Sequence, residues 1–134
     1  MARSGFFSVD SLKGVHVLVT DDEALARDVL RDILEYCGAL VLTVESAQDA
    51  LSTMRLIKPD VLVTKLGLPG DDGYWLLRQV RALKPGSGGE IPAIAIGPSA
   101  ERERALGEGF TAHFTWPLNP WDFTRTIATL VTTG

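Results

Sequence analysis

Five short apolar runs punctuate the chain, and between them charged and apolar residues alternate at helical spacing. Residues 15–19 (Val-His-Val-Leu-Val) are nearly continuous and β-branched, the mark of a strand covered on both faces. Residues 40–44, 61–63, 92–96 and 112–115 are expected to form four more strands. After the first, Leu25, Val29, Ile33 and Cys37 recur every four residues with Leu30 and Leu34 beside them. Arg27, Asp28, Arg31, Asp32 and Glu35 fill the other face, which predicts an amphipathic helix that stops at Gly38. Ser46 is placed to cap a second helix reaching residue 57, with Ala47, Ala50, Leu51 and Met54 inward and Lys58-Pro59 ending it. The spacing of Leu76, Leu77, Val80 and Leu83 predicts a third helix over 74–83. A short charged helix spans roughly 100–107, and the last covers 121–131, capped by Asn119 with Pro120 in its first turn.

Strands alternating with helices require right-handed crossovers and a parallel sheet covered on both faces. The expected fold is therefore α/β, a flavodoxin-like (βα)5 three-layer sandwich with strand order 2-1-3-4-5. In such a sheet the ligand crevice lies beyond the carboxyl ends of the first and third strands. Asp21, Asp22 and Lys65 stand at those ends. Residues 1–13 read as an N-terminal arm or linker, 14–131 as the domain and 132–134 as a C-terminal tail. The glycine-rich stretch 84–90 reads as a surface connection.

Composition narrows the function classes. At 134 residues and 46% apolar content the chain is one globular domain able to bury a core. Its net charge of −4 is mild and no Lys/Arg cluster occurs, so no nucleic-acid partner is expected. A single cysteine, Cys37, excludes an internal disulfide and reads as a small buried hydrophobe. The apolar runs are too short to span a bilayer and residues 1–13 lack a signal-peptide pattern, so no membrane is expected and the cytoplasm is the default location. His16 and His113 lack a second His or Cys at ligand spacing; both read as strand histidines with hydrogen-bond partners. The first strand-to-helix turn carries Thr-Asp-Asp-Glu where a nucleotide-binding fold would carry a glycine-rich loop. A nucleophilic Lys65 would need a lowered pKa, and neighbouring carboxylates raise it. No enzyme activity is expected.

Several ordered motifs carry a resemblance. Val-Leu-Val-Thr-Asp-Asp-Glu at 17–23, Pro-Asp-Val-Leu-Val at 59–63, Gly-Leu-Pro-Gly-Asp-Asp-Gly-Tyr at 67–74, Ile-Pro-Ala-Ile-Ala at 91–95 and Pro117 resemble the CheY-like receiver domain of bacterial response regulators. Gly38-Ala39, the glycines within 86–89 and the segment 109–113 look most like receivers of hybrid histidine kinases. The resemblance implies a two-component phosphorelay, in which an acidic pair and a phosphoacceptor aspartate hold Mg²⁺. It further implies a Thr/Ser, a Lys and a switching aromatic that respond to the phosphoryl group. Carried over by position, Asp21 and Asp22 keep the acidic pair as a vestigial metal site, and Pro117 keeps the proline. The acceptor position is Lys65, the Thr/Ser position Gly97, the Lys position Trp116 and the aromatic position His113.

An ammonium in place of a carboxylate ligand changes the local charge by two units. At about 4 Å and an effective dielectric near 20, each is worth about 4 kcal/mol. Mg²⁺ binding is therefore expected to be lost or very weak, with no cofactor, and Lys65 is expected to project toward Asp21 and Asp22. A lysine forms no acyl phosphate, and in-line transfer needs the metal. The expected function is a pseudo-receiver, a phosphorylation-independent protein-interaction module. Its partner would be a histidine kinase, an output module or another receiver, with a homodimer also open. The resemblance places the contact face on the fourth helix, fifth strand and fifth helix, including Arg102, Arg104, His113, Trp121 and Phe123. The alternative is a phosphorylatable receiver with a non-standard acceptor, against which Asp71 and Asp72 read as loop and helix-start residues. Trp75 and Trp121 at helix starts fit either a partner surface or a cover over the core, and Trp116 is expected to pack over the vacated site.

Overall fold

The structure is a computed structural model in which residues 10–133 are described. Five strands, β1 (His16–Thr20), β2 (Leu40–Val44), β3 (Val61–Lys65), β4 (Ala93–Ile96) and β5 (Ala112–Phe114), form one parallel sheet in the order β2-β1-β3-β4-β5. Five helices alternate with them: α1 (Ala24–Tyr36), α2 (Ala47–Leu56), α3 (Gly73–Arg81), α4 (Arg102–Gly107) and α5 (Pro120–Thr133). This is the flavodoxin-like three-layer fold expected from the alternating pattern.

Each face of the sheet has its own core. Leu18, Leu62, Ala93 and Ala95 pack with Ala47, Ala50, Leu51 and Met54 of α2, Leu76, Leu77 and Val80 of α3, and Ala105 of α4. On the opposite face Val17, Val19, Val61, Val63, Ile94 and Ile96 meet Leu30 and Leu34 of α1 and Phe123 and Ile127 of α5. Alternate residues of one strand thus enter opposite cores, as a pleat with a period of two demands. Burying each of the larger side chains among them, Val, Leu, Ile, Met or Phe, contributes about 1.5–3 kcal/mol.

Local chemistry sets the helix ends. The Ser46 side chain accepts from the Asp49 N–H at 3.0 Å and caps α2. Asp72 caps α3 through the Trp75 N–H at 2.9 Å. Asn119 accepts from the N–H groups of Trp121 and Asp122 at 2.9 and 3.1 Å, with Pro120 as the first residue of α5. Gly38 has φ +95 and lies close against the Lys13 backbone, so a glycine suits the end of α1 twice over.

Two expectations from spacing need correction. The apolar stripe of α1 is wider than the core it covers. Leu30, Leu34 and Cys37 are buried, whereas Leu25 is 76% exposed and Val29 and Tyr36 also face outward. Leu30 and Leu34 turn to the sheet, whereas Leu25 and Val29 line the depression beside Trp116 and Tyr36 the one beside Trp121. The segment before Gly14 also does more than link. Leu12 is fully buried in the α1/α5 core and its N–H donates to the Cys37 carbonyl at 2.8 Å. Residues 1–9 of the expected arm and Gly134 of the expected tail lie outside the described residues.

Candidate functional site: the carboxyl ends of β1 and β3

The parallel sheet brings the ends of β1 and β3 side by side, with Thr20 in register with Thr64. One residue further along each strand, a carboxylate row and a lysine come together. Asp21 is buried, its Oδ1 accepts the Glu23 N–H at 2.9 Å, and its carbonyl accepts from Arg27 at 2.8 Å. Asp22 is partly buried, and its Oδ1 receives Lys65 Nζ at 2.8 Å. Glu23 Oε1 stands 3.8 Å from the same ammonium. Lys65 therefore projects toward the acidic pair, bonding Asp22, standing near Glu23 and acting on Asp21 through its charge. The Asp21 carboxylate is engaged through Oδ1 by the backbone at the start of α1.

The electrostatics follow from these partners. The hydrogen bond from Lys65 holds Asp22 below the usual carboxylate range. The same bond, against some desolvation, raises Lys65 above the ordinary lysine value. Burial pushes Asp21 up, and the Glu23 N–H and the Lys65 charge only partly offset it. Two adjacent carboxylates are thus shifted in opposite directions, Asp21 by burial and Asp22 by its hydrogen bond from Lys65.

Gly97 follows β4, and a Cβ built on it would lie 2.8 Å from Leu66 Cδ1 and 3.2 Å from Leu66 Cβ. Leu66 is buried and fills the space that any larger residue at position 97 would need. Gly73 is equally tight: a Cβ there would meet the Lys65 carbonyl oxygen at 2.6 Å. Its N–H donates to the Leu66 carbonyl at 2.9 Å, so the start of α3 is pressed against the end of β3.

Trp116 stands beside the acidic stretch, sharing a depression with Glu23. It is 42% exposed and, with Glu23, Leu25, Ala26 and Val29, lines an apolar depression of about 390 Å³ on the α1 side. The Trp116–Pro117 peptide bond is cis. Asp71 accepts from Gln48 at 2.8 Å and Asp72 caps α3, so both serve the loop and helix start as expected.

Of the expected contact face, Arg102, Arg104 and Trp121 are exposed. Phe123 is not part of that surface: it is fully buried and meets Phe114 edge-on at a centroid distance of 5.3 Å. The first turn of α5 points it into the core. His113 is buried too, because it is the inward residue of a three-residue strand. Its Nε2 has no partner among the described residues, contrary to the hydrogen bond expected for it. Trp75 is half-buried against the α2/α3 core, while Trp121 stacks edge-on with Tyr36 at 6.4 Å.

The sequence pattern did not single out Glu23 or Leu66. Adjacency to the acidic pair was the available signal for Glu23. Leu66 left none, since one leucine beside a strand end reads as ordinary core. Among the described residues, no group of three or more His, Cys, Asp or Glu side chains is placed to hold a metal ion, and no helix is long and apolar enough to cross a membrane.

Comparison with known proteins fits this geometry. The chain is 35% identical over 122 residues to an uncharacterized 14.6 kDa protein from the sodA1 3′ region of Leptolyngbya boryana, covering 89% of this chain and 92% of that one. It is 28% identical to the probable transcriptional regulator ycf27 of Guillardia theta, covering 90% of this chain but only 46% of that protein. The receiver domain of a Pseudomonas aeruginosa sensor histidine kinase, solved with a magnesium ion coordinated in its active site cleft, superposes with a TM-score of 0.81 at 24% identity. It covers 89% of this chain and 98% of that domain. The family described as response regulator receiver domain matches residues 17–127, and the chain belongs to that family.

Proposed function

We propose that this receiver has lost its phosphoacceptor aspartate, with Lys65 in its place, and acts as a phosphorylation-independent interaction module in two-component signalling. One observation carries the reading: Lys65 Nζ lies 2.8 Å from Asp22 Oδ1, where a metal-binding receiver would need that carboxylate free. The residues do not fit Mg²⁺. This ion demands near-octahedral oxygen ligands, and here one oxygen ligand is exchanged for a cation and another carboxylate is neutralised by it.

Two further features support the same reading. Gly97 offers no hydroxyl to follow a phosphoryl group, and Leu66 closes the space where one would sit. Trp116 brings an indole N–H where the family resemblance calls for a cation. Asp71 and Asp72 are committed to Gln48 and to the α3 cap, which leaves the non-standard-acceptor alternative without a free candidate in that loop.

The partner is a protein of the same signalling class, a histidine kinase, an output module or another receiver. Its contact face on α4, β5 and α5 carries Arg102, Arg104 and Trp121. The test is intact mass after treatment with acetyl phosphate and Mg²⁺. The expected result is an unchanged mass and partner capture that ignores the treatment. Addition of one phosphoryl group would overturn the proposal.

A further inference from the structure

The fourth helix is poorly equipped to hold its own position. It has six residues, of which Ala105 alone is buried, and its capping residue Glu101 makes no side-chain cap bond. A helix this short is marginal without tertiary support. Glu101 instead accepts the Tyr74 hydroxyl proton, with Oη to Oε1 at 2.8 Å. Tyr74 is the second residue of α3 and is 2% exposed. The Arg104 guanidinium stacks over its ring at 3.9 Å, and Phe110, just past α4, meets the ring edge-on at 6.0 Å. Arg104 in turn holds Glu108 at 3.1 Å, and Glu108 reaches back to Arg78 of α3 at 3.5 Å.

We infer that Tyr74 is a latch that sets the position of α4, through its hydroxyl on Glu101 and its ring under Arg104. The latch is anchored at the acidic site. Gly73, immediately before Tyr74, is hydrogen-bonded to Leu66 and pressed on the Lys65 carbonyl. The chain of contacts Lys65, Gly73, Tyr74, Glu101 therefore joins the end of β3 to α4 along the α3 side of the sheet. Gly97 and His113, at the ends of β4 and in β5, take no part in it. The inference stands on the α3/α4 geometry and is independent of whether any residue accepts a phosphoryl group. Its consequence is that the surface presented by Arg104 shifts when the Tyr74 hydroxyl is lost, while Arg102 is held separately by the His113 carbonyl at 3.4 Å.

The test is hydrogen–deuterium exchange of the full chain, comparing wild type with Tyr74→Phe, Glu101→Ala and the double variant. Phenylalanine keeps the ring, the Phe110 contact and the Arg104 stack, so the fold is retained. The expected result is exchange faster by roughly tenfold or more at the Glu108, Gly109 and Phe110 amides, which hydrogen-bond back to α4 and its final residues. That is the scale of one lost hydrogen bond to a charged group. Amides of α2 keep their rates, and the double variant exchanges no faster than either single one. Unchanged rates around α4 in Tyr74→Phe would overturn the latch. Equal acceleration of α2 and α4 would overturn it as well, because the loss would then be one of global stability.

Discussion

Lys65 and Asp22, 43 residues apart in the chain, meet at 2.8 Å across the ends of two neighbouring parallel strands. Both side chains are nearly three-quarters buried, so the pair is screened less than a surface ion pair. It also balances a local row of three acids, Asp21, Asp22 and Glu23.

Replacing Lys65 with Met is expected to destabilise the fold by about 1 kcal/mol at neutral pH. The pH dependence has two limbs. Asp22 is lowered in the folded state, so its contribution is present above the ordinary carboxylate range and fades as pH falls through it. Lys65 is raised, so its contribution is full below the ordinary lysine value, about 10.4, and is lost as pH rises past it. Asp21, raised by burial, acts in the opposite sense to Asp22: stability tied to its neutral form is lost as pH rises. Urea unfolding of wild type and Lys65→Met at several pH values separates these. The difference between the two proteins is expected to be largest near neutrality and to shrink in acid.

Gly97→Thr is expected to cost about 1–3 kcal/mol by overpacking against Leu66. Leu66→Ala alone leaves a cavity and costs about 2–5 kcal/mol. The double variant should cost clearly less than the sum, because each change relieves the other. A double-mutant cycle by chemical denaturation measures that coupling. Strict additivity would mean the two residues do not compete for the same space.

Gly73→Ala places a methyl group 2.6 Å from the Lys65 carbonyl oxygen, closer than any relaxed contact. The clash is with backbone, so no side-chain rotation relieves it. A loss of about 1–3 kcal/mol is expected, together with chemical-shift changes at Lys65 and Leu66. The same substitution at Gly67, where a Cβ meets nothing within 4 Å, is the control and is expected to be nearly neutral.

Tyr74 is raised to about 12, first by burial and then by its bond to Glu101, with Glu108 adding to the shift and Arg104 opposing it. A phenol raised in the folded state contributes stability that is full below about 10, its unfolded value, and is lost as pH rises toward 12. The alkaline loss is of order 2 kcal/mol. Unfolding titrations are expected to show it in wild type and to show less of it in Tyr74→Phe.

The fold was legible because parallel strands buried on both faces read as apolar runs, and capping residues such as Ser46 and Asn119 mark the helix starts. The placement of Lys65, Asp21 and Asp22 at neighbouring strand ends followed from that topology. Which acid the lysine would bond did not, since that rests on side-chain geometry at the strand ends. The surface assignment of Phe123 failed for a related reason. Spacing marks α5 as amphipathic, but the direction of its first turn is set by Phe114 on the neighbouring strand. The α1 stripe misled because it is wider than the face turned to the sheet, so that Leu30 and Leu34 are buried while Leu25 and Val29 line the depression beside Trp116.

The most direct test of the central claim is a calorimetric Mg²⁺ titration of the wild-type chain, with Lys65→Asp as the positive control. With Lys65 seated on Asp22, wild type is expected to show no saturable heat in the millimolar range, while Lys65→Asp gains a saturable site. Saturable millimolar binding by wild type would show that Lys65 yields its place to the metal, and would contradict the account.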